Sequence, residues 1–381
     1  MIGLVHNTFG KCALIGSACE AKPANHFLRK RSQLARIVFG VMGDAMGHIT
    51  FASIIATLLP RHTFLFMGGG KVSLLKNMGY EVIELPMLAT YYTNNQVNLR
   101  QTVKNGAKTL FRRQNVVKQT AEAIKRFDPC LILTNYEYFT ALASEYLSIP
   151  CVSIDHQHIL THCHWPVNPG NHLGRLLLML PLKLMYSRPK RYVIASFFQL
   201  PPKDPDKVDV VPSVLRPVVQ DYTPTNGEHV LVYQTSPSFL PLLETLKKLN
   251  SPVIVYGFGP RKSTKNITFK ANSVEGFLED LSSCRYAIVN GGHNVISEAL
   301  FYGKPILCFP IRLAYEQFLN AYMIQELGYG RFSLSPHPEL SNFRDFESRL
   351  DFFKARIARE TFYGNDAMRE KLENIVSQAE A

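Results

Sequence analysis

Two adjacent glycines followed by a helix start form the part of the chain with the clearest chemistry. Gly291 and Gly292 follow a buried strand-like run, and a helical pattern begins with His293 and Asn294. Glycines let a phosphate approach the backbone, and the free N–H groups at a helix start attract anions. Glu298 follows one turn later, where its carboxylate could accept hydrogen bonds from ribose hydroxyls. These residues predict a nucleotide-binding site.

Two nearby loops are expected to complete this site, because each follows a strand-like run in the same half of the chain. Thr235 and Ser236 follow the run at 230–233, and their hydroxyls and N–H groups could meet a phosphate. Arg261 follows the next run and could pair with a phosphate. An ordinary surface arginine is the open alternative for Arg261, since the chain is basic.

A second glycine-rich loop, near residue 40, ends in a histidine. The sequence GDAMGH runs from Gly43 to His48, with Gly47 beside the histidine, between a strand-like run and a helical pattern. Imidazole titrates near pH 6.5, which suits a general base at neutral pH. The loop therefore offers His48, and Asp44 beside it, as candidates for acid–base chemistry. A histidine that only caps the helix is the structural alternative.

The elements that must position these groups alternate along the chain. Strand-like runs alternate with helical segments from residue 36 onward, which is typical of an α/β fold with parallel sheets covered on both faces. A proline-rich stretch at 200–224 separates two series of such runs and indicates a connection between domains. We therefore predict two doubly wound, Rossmann-like domains that face each other across a cleft.

The predicted boundaries divide the 381 residues into four segments. They are a poorly ordered N-terminal extension at 1–35, a first domain at 36–205, a second domain at 206–345, and C-terminal helices at 346–381 that could cross back to the first domain. Hydrophobic residues make up 46% of the chain, which excludes a disordered tail or a coiled coil. The seven cysteines include no CxxC pair, which favours buried thiols in the cytoplasm over disulfides or a zinc ribbon.

The charge distribution predicts an anionic partner. The chain has 42 Lys and Arg against 30 Asp and Glu, and an apolar run at 173–186 lies in a stretch without acidic residues. A basic stripe with a spacing of four residues consists of Arg100, Lys104, Lys108 and Arg112. Basic and apolar surface together predict docking on the inner face of the plasma membrane. The alternative is a solvated basic helix beside a core helix. No nucleic-acid-binding motif is present, so we expect no nucleic acid partner.

The second half of the chain resembles a known family. The spacing GG-x5-E-A-x3-GKP-x4-P-x5-EQ-x2-NA, which starts at Gly291, resembles the donor-binding signature of GT-B glycosyltransferases. The likeness is to the branch of the UDP-glucuronosyltransferases, the peptidoglycan N-acetylglucosaminyltransferase and related prokaryotic enzymes. It implies that the glycine pair holds the donor diphosphate, that Glu298 holds the ribose, and that Glu316 and Gln317 contact the transferred sugar. Asn290 departs from the pattern, because many members have histidine there, and Glu316 replaces an aspartate.

The resemblance implies an inverting transfer of a hexosyl or N-acetylhexosaminyl group. The donor would be a nucleotide sugar, with UDP as the expected nucleotide, and the acceptor a glycan or a lipid-linked molecule of the cell envelope. The GDAMGH loop resembles the first loop of the same enzymes, in which the histidine is the usual candidate for the base. The resemblance therefore implies His48 as the base, with Asp44 as the second candidate or as the group that orients His48. No cofactor and no metal are expected, because the glycine–helix arrangement can stabilise the leaving diphosphate.

A histidine-rich segment begins directly after the strand-like run at 150–154. Its spacing, H-x-H-x3-H-C-H from His156, fits no common tetrahedral metal site. We expect an acceptor-binding loop in which His156 or His158 touches sugar hydroxyls, with Gly47 of the same domain as a further acceptor contact. A purely structural loop is the alternative.

Two other functions remain open from the sequence. A UDP-sugar 2-epimerase would share the architecture and act without an acceptor, although the acid–Gln pair and the basic first domain argue against it. A non-catalytic subunit that binds nucleotide sugars or polyanions would need Glu298 but not His48.

Overall fold

The computed structural model describes residues 34–93, 96–165, 170–235 and 237–381. Residues 1–33 of the predicted extension and Ser236 therefore lie outside the described residues. The strands, in chain order, are β1 Arg36–Val41, β2 Thr63–Gly68, β3 Glu81–Glu84, β4 Tyr92–Thr93, β5 Gln96–Val97, β6 Leu131–Asn135, β7 Cys151–Asp155, β8 Arg191–Ser196, β9 Val208–Pro212, β10 Val230–Tyr233, β11 Val253–Tyr256, β12 Ile267–Phe269, β13 Tyr286–Val289, β14 Ile306–Cys308 and β15 Gly330–Phe332.

Helices connect most of these strands. In chain order they are α1 Met46–Leu58, α2 Leu99–Phe111, α3 Arg113–Phe127, α4 Tyr138–Leu147, α5 Ile159–His162, α6 His172–Leu184, α7 Leu240–Leu246, α8 Val274–Ser283, α9 His293–Phe301, α10 Tyr315–Glu326, α11 Leu340–Glu347, α12 Leu350–Ile357 and α13 Asn365–Ala379. Two 3₁₀ helices cover Gly70–Met78 and Pro217–Asp221.

The first domain is built on a parallel sheet whose strand order is β3-β2-β1-β6-β7-β8-β9. Strands β1, β2 and β6 are almost entirely buried because they are runs of Val, Ile, Leu and Phe with helices on both faces. The sheet reaches beyond the predicted boundary at 205/206, since β9 pairs with β8. The prolines that suggested a connection mostly precede β9, and Pro212 ends this edge strand, where a missing N–H is tolerated.

The second domain repeats this architecture with the strand order β12-β11-β10-β13-β14-β15, again all parallel. Phe343, Phe346 and Phe353 of helices α11 and α12 pack on β10, β11 and β13 in one apolar cluster. The predicted α/β fold of two doubly wound sheets is thus confirmed.

The C-terminal helix α13 belongs to the core of the first domain. Met368, Leu372, Ile375 and Val376 pack into the cluster that contains the buried residues of β1 and α1. Burying each of these side chains contributes about 1.5–3 kcal/mol. Asn365 fixes the start of the helix, because its side chain accepts from Leu215 N and donates to Leu215 O, both at 2.8 Å.

The carboxyl ends of the two sheets meet. Gly47, in the first turn of α1 after β1, accepts a hydrogen bond of 3.1 Å from Asn294 Nδ2, at the start of α9 after β13. Gln157, after β7, donates from Nε2 to Glu316 Oε2 at 3.0 Å on α10, which follows β14. In parallel α/β sheets ligands bind at this edge, so the loops that line it form the candidate site.

Candidate active site

His48 lies half-buried in the first turn of α1, and its ring is held by a residue that the sequence reasoning missed. Its Nδ1 is 2.5 Å from Oδ1 of Asn135, which ends the neighbouring strand β6. The Asn135 amide is buried, and its Nδ2 donates to Ile154 O at 2.6 Å. This second bond fixes the amide orientation, so Oδ1 must face the ring and accept its Nδ1–H. Nε2 then carries the lone pair that a general base needs.

The backbone of the loop before His48 needs a glycine at its first position. A Cβ on Gly43 would overlap the carbonyl oxygen of Gly69, and Gly43 O accepts from Lys71 N at 2.8 Å. The loop therefore packs directly against the turn that follows β2. Asp44, next in the loop, is half-buried.

Tyr136, directly after Asn135, holds a strained position beside His48. Its φ is 54°, a left-handed conformation that bulky residues rarely adopt and that costs about 1–3 kcal/mol. Its ring stacks on Tyr186 at 4.0 Å between centroids and lies parallel to the His48 ring at 6.3 Å. Burial, then the charges of Tyr186, Glu316 and Asp44, raise the pKa of Tyr136 well above its usual value. The Tyr136 ring thus lies beside the predicted base and responds to the charges of Asp44 and Glu316, although no sequence signal marked it.

The predicted diphosphate cradle has the geometry that its glycines suggested. Gly291 has φ 88°, and a Cβ there would meet the backbone of Gln317, so only glycine lets α10 approach this loop. Gly292 precedes α9 without a side-chain cap, which leaves the first N–H groups of α9 without a partner from a capping side chain. Asn294 donates its side chain to Gly47 O, so this helix start lies against the residue next to His48.

Glu298 has a protein partner that the sequence did not reveal. It is 2% exposed, and its two carboxylate oxygens bind Nε and a terminal nitrogen of Arg216 at 2.7 Å each. Burial alone would lower the pKa of Arg216, but the Glu298 carboxylate reverses this and raises it. Each carboxylate oxygen has a second lone pair, so the pair can hold Glu298 rigid while a hydroxyl still binds.

Buried polar atoms without a protein partner lie at the carboxyl ends of β10 and β13. Asn290 Nδ2 donates to Thr235 Oγ1 at 2.5 Å, whereas Asn290 Oδ1 and Gln234 Nε2 have no hydrogen-bond partner among the described residues. These two groups are free of partners within the described part of the chain and can bind a ligand or a water molecule. Arg261 does not join them, because it is exposed and its guanidinium lies over the ring of Phe258. This position fits the surface alternative for Arg261.

The predicted acceptor contacts of His156 and His158 need correction. His158 is 1% exposed, with Nδ1 2.6 Å from Asp155 Oδ2 and Nε2 3.1 Å from Tyr186 O, so neither nitrogen is left for a sugar. Burial alone would raise the pKa of Asp155, but His158 lowers it to about 2. His156 is also buried and binds Ala195 O and Asn320 Oδ1. The structural-loop alternative is correct for both residues, because their rings point into the protein interior.

The two residues of the acid–Gln pair at the start of α10 have different hydrogen-bond partners. Glu316 is half-buried and accepts from Gln157 of the first domain, whereas Gln317 Oε1 accepts from Ile311 N at 3.0 Å. Asn320, one turn later, donates from Nδ2 to Gly291 O at 3.1 Å. The start of α10 therefore ties the glycine loop to the first domain.

The surface of α2 and α6 combines charge with exposed apolar side chains. The basic stripe is fully on the outside of α2: Arg100, Lys104, Lys108 and Arg112 are all exposed. Phe111 is 94% exposed beside them. Helix α6 has Leu182 in the core but a stripe of exposed leucines, which are Leu173, Leu176, Leu180 and Leu184. The run at 173–186 is thus amphipathic, not a core helix. Within the described residues, no helix has the length and apolar character to cross a membrane.

The architecture and the motifs define a class, the GT-B glycosyltransferases. A family model described as glycosyl transferase family 1 matches residues 35–351. This match covers most of the chain, and the chain belongs to that family. It is a glycosyltransferase, which favours the transferase over the epimerase and over the non-catalytic subunit.

Two uncharacterised glycosyltransferases of Methanosarcina species are similar in sequence. The protein of Methanosarcina mazei is 22% identical over 335 residues, which cover 80% of this chain and 88% of its own. That of Methanosarcina acetivorans is 44% identical over 70 residues, so the match covers 18% of each chain.

Solved structures share the fold at low identity. The spinosyn forosaminyltransferase SpnP has a TM-score of 0.63 and 14% identity, with 91% of this chain and 100% of its own covered. MurG of Acinetobacter baumannii has a TM-score of 0.59 and 13% identity, with 90% of this chain and 99% of its own covered. UGT2 of Phytolacca americana, in complex with UDP-2-fluoroglucose and pterostilbene, has a TM-score of 0.63 and 13% identity, with 91% of this chain and 99% of its own covered. The predicted GT-B fold and the resemblance to this branch are confirmed.

Proposed function

We propose that this glycosyltransferase moves a sugar from a UDP-linked donor to an acceptor hydroxyl with inversion at the anomeric carbon. The observation that carries the proposal is the position of the oriented His48 beside the start of α9. Asn294 Nδ2 donates to Gly47 O, so the residue next to the base touches the first turn of the helix that would hold the diphosphate. A base and an anion site that face each other across one cleft suit a single displacement.

The proposed chemistry uses His48 as the general base. The acceptor oxygen attacks the anomeric carbon from the first-domain side while its proton passes to Nε2 of His48. The bond between that carbon and the diphosphate oxygen breaks on the second-domain side, and the nucleoside diphosphate leaves. Asn135 keeps the proton of the neutral ring on Nδ1, so that Nε2 is ready to accept. One displacement with the two groups on opposite faces inverts the configuration.

The donor would lie along the carboxyl edge of the second sheet. The uncapped start of α9 and the Gly291–Gly292 loop would hold the diphosphate through backbone N–H groups. Glu298, held by Arg216, would bind the ribose, while Glu316 and Gln317 would contact the transferred sugar. No cofactor forms part of the proposal, because N–H groups and the helix dipole can stabilise the leaving group.

We infer further that the acceptor is membrane-borne. Helix α2 and the residue after it present four exposed basic side chains and Phe111, and α6 presents four exposed leucines. Leu110 of α2 and Leu182 of α6 pack in the same apolar cluster. Apolar side chains can enter the headgroup region, and each basic residue near an anionic surface adds about 1 kcal/mol of attraction. Helix α6 also packs near Tyr315 and Phe318 of α10 in one apolar cluster, so this surface adjoins the cleft.

Thermal unfolding with UDP, GDP, ADP, CMP and dTDP tests the donor site. A ligand at 100 times its dissociation constant adds about 2.7 kcal/mol, which shifts the midpoint by several degrees. We expect UDP to give this shift. Gly292→Val is the matched perturbation, because Gly292 has an ordinary φ of −67° and only Asn290 Oδ1, at 3.9 Å, near its missing Cβ. The variant should fold normally and lose the UDP shift.

Gly106→Ala, on α2, is the control, since a Cβ there meets nothing within 4 Å. It should keep the UDP shift unchanged. If no nucleotide stabilises the wild type, or if Gly292→Val keeps the full shift, the proposed donor site is wrong.

A further inference from the structure

An open pocket lies in the second domain, at the edge of the sheet opposite to the candidate active site. Its volume is about 250 Å³, and it is lined by the end of α10, the start of β15 and α12. Because β13, β14 and β15 are parallel, the start of β15 belongs to the amino edge of the sheet, whereas the glycine loop after β13 belongs to the carboxyl edge. The pocket is therefore separate from the proposed donor site.

Three arginines line this pocket, and the carboxylates around them balance little of their charge. They are Arg331 on β15, Arg349 directly before α12 and Arg356 on α12. Among the described residues of the lining, Glu326 is the only acidic one. Arg331 has a weak contact with Asp345, 3.9 Å away. Arg349 and Arg356 have no ion-pair partner within the described part of the chain. A bound anion would therefore relieve the repulsion between three like charges.

Contacts within the pocket hold the arginine side chains in place. The guanidinium of Arg349 lies over the ring of Phe352, 5.3 Å from its centroid. Arg356 Nε donates to Leu327 O, at the end of α10, at 3.4 Å. Arg331 is part of β15, whose backbone pairs with β14. Side chains that are ordered in advance lose less conformational entropy when a ligand binds.

The capping of α10 explains only Arg356, because a cation at a helix C-terminus binds the last carbonyl groups. The Nε of Arg331 is buried and has no hydrogen-bond partner among the described residues. The guanidinium of Arg349 has its ring contacts but no hydrogen bond to the described residues. The pocket thus keeps N–H donors that the protein itself does not use.

The number of guanidinium groups favours phosphate over a single carboxylate. A guanidinium can bind either group through two parallel hydrogen bonds. A phosphate monoester carries about −1.5 to −2 charges and three acceptor oxygens, whereas a carboxylate carries one charge and two oxygens. Three arginines therefore match a phosphate monoester better. Phe352, which is 50% exposed, adds an apolar wall beside the charged groups.

The arginine pocket consists of Arg331, Arg349, Arg356 and Phe352. We propose that it binds a phosphate monoester, either in a small soluble molecule or in the headgroup of a phosphatidic acid. Both sources present the same charged oxygens. The proposal does not rest on the proposed function, because no residue assigned to the donor or the acceptor lines the pocket.

Titration calorimetry with glycerol 3-phosphate, at constant ionic strength in sodium chloride, tests the pocket in the full chain. We expect saturable binding that Arg331→Gln and Arg349→Gln each weaken about tenfold, because each variant loses a charged donor. Arg349 is exposed, so its variant should fold normally. Arg359→Gln, which removes an exposed arginine just after α12, is the matched control and should bind like the wild type.

Gly292→Val separates this pocket from the proposed donor site, since a soluble phosphate could bind at either place. We expect Gly292→Val to keep the arginine-dependent binding of glycerol 3-phosphate, and Arg349→Gln to keep the UDP-dependent shift of the unfolding midpoint. If Gly292→Val abolishes the binding of glycerol 3-phosphate and Arg349→Gln does not weaken it, the phosphate lies in the donor site and the proposal is wrong.

Cosedimentation with phosphatidylcholine vesicles, with and without phosphatidic acid, identifies the source of the phosphate. Arg349→Gln is compared with Arg359→Gln, which removes the same charge nearby. Weaker sedimentation of Arg349→Gln on phosphatidic acid assigns the pocket to the lipid headgroup. Equal sedimentation of the two variants, together with arginine-dependent binding of glycerol 3-phosphate, assigns it to a soluble monoester. If neither probe binds in a way that depends on Arg331 or Arg349, the proposal is overturned.

Discussion

The pair of Asn135 and His48 gives the most informative perturbation of the catalytic proposal. Asn135→Leu keeps the approximate size of the side chain but removes the oxygen that lies 2.5 Å from Nδ1 of His48. The ring then loses its orientation, and the tautomer with a proton on Nε2, which cannot act as a base, becomes accessible. Leaving such a donor without its acceptor costs about 1–3 kcal/mol, which corresponds to a rate loss of roughly 5–150-fold.

The assay is the release of UDP from a UDP-sugar, with an acceptor or with water, because hydrolysis also needs a base to activate the attacking hydroxyl. Asn135→Leu should lower kcat by that factor and leave the Kd for UDP unchanged, since Asn135 belongs to the first domain. The free energy of unfolding is measured in parallel, because the variant also loses the bond to Ile154 O.

Asn135→Asp gives the complementary result. A carboxylate beside Nδ1 favours the imidazolium, which is not a base, so the acid limb of the pH–rate profile should move to higher pH. An unchanged kcat in Asn135→Leu, together with an unchanged pH profile in Asn135→Asp, would refute the orienting role.

Three further predictions concern stability and the membrane. Arg216→Ala should reduce the free energy of unfolding by about 3–5 kcal/mol in a denaturant titration, because it leaves buried Glu298 without its partner. Arg216→Lys should lose less stability, and a loss below about 1 kcal/mol in the alanine variant would contradict the pairing. The pKa of Asp155 is lowered from 3.8 to about 2, so its contribution to stability is complete above about pH 4 and is lost between pH 4 and pH 2. In Asp155→Asn the free energy of unfolding should therefore fall less between about pH 4 and pH 2 than in the wild type. An equal fall in the wild type and the variant would exclude this assignment. Replacing Arg100, Lys104, Lys108 and Arg112 by glutamine should abolish cosedimentation with vesicles that contain anionic lipid and leave UDP binding intact. Undiminished sedimentation would rule out this surface.

Local sequence patterns were sufficient to predict the fold. Buried strands such as β1 and β6 are continuous apolar runs, and helices separate them at regular spacing, so the two doubly wound sheets follow from periodicity alone. The boundary near residue 205 was wrong because prolines were taken to end the first sheet, although β9 follows most of them. The edge position of β9 makes this possible, and an edge position depends on tertiary structure.

The candidate site was predictable only in part. Gly291 and the start of α9 lie as expected because a strand, a glycine turn and a helix are local features. Partners far apart in the sequence were not predictable: Arg216 lies 82 residues from Glu298, and Asn135 lies 87 residues from His48. A polar residue at the end of buried strand β6 was the available signal for Asn135.

For the histidines after β7, the sequence predicted the position in the fold but not the direction of the side chains. His156 and His158 follow the carboxyl end of a strand, which is where ligand contacts are common, yet their rings turn inward to Ala195, Asn320, Asp155 and Tyr186. Sequence spacing gives the position of a side chain along the chain but not its direction. That direction is decided by buried oxygens that need donors.

The most direct test of the central claim separates binding from turnover in His48→Ala. UDP release from UDP-glucose, UDP-N-acetylglucosamine and UDP-glucuronate is measured beside the Kd for UDP, with the wild type as reference. The account predicts that the wild type releases UDP from at least one of these donors. It also predicts that His48→Ala is about 10²–10⁴-fold slower at an unchanged Kd, which is the usual contribution of a general base. A variant that turns over at the wild-type rate would contradict the account.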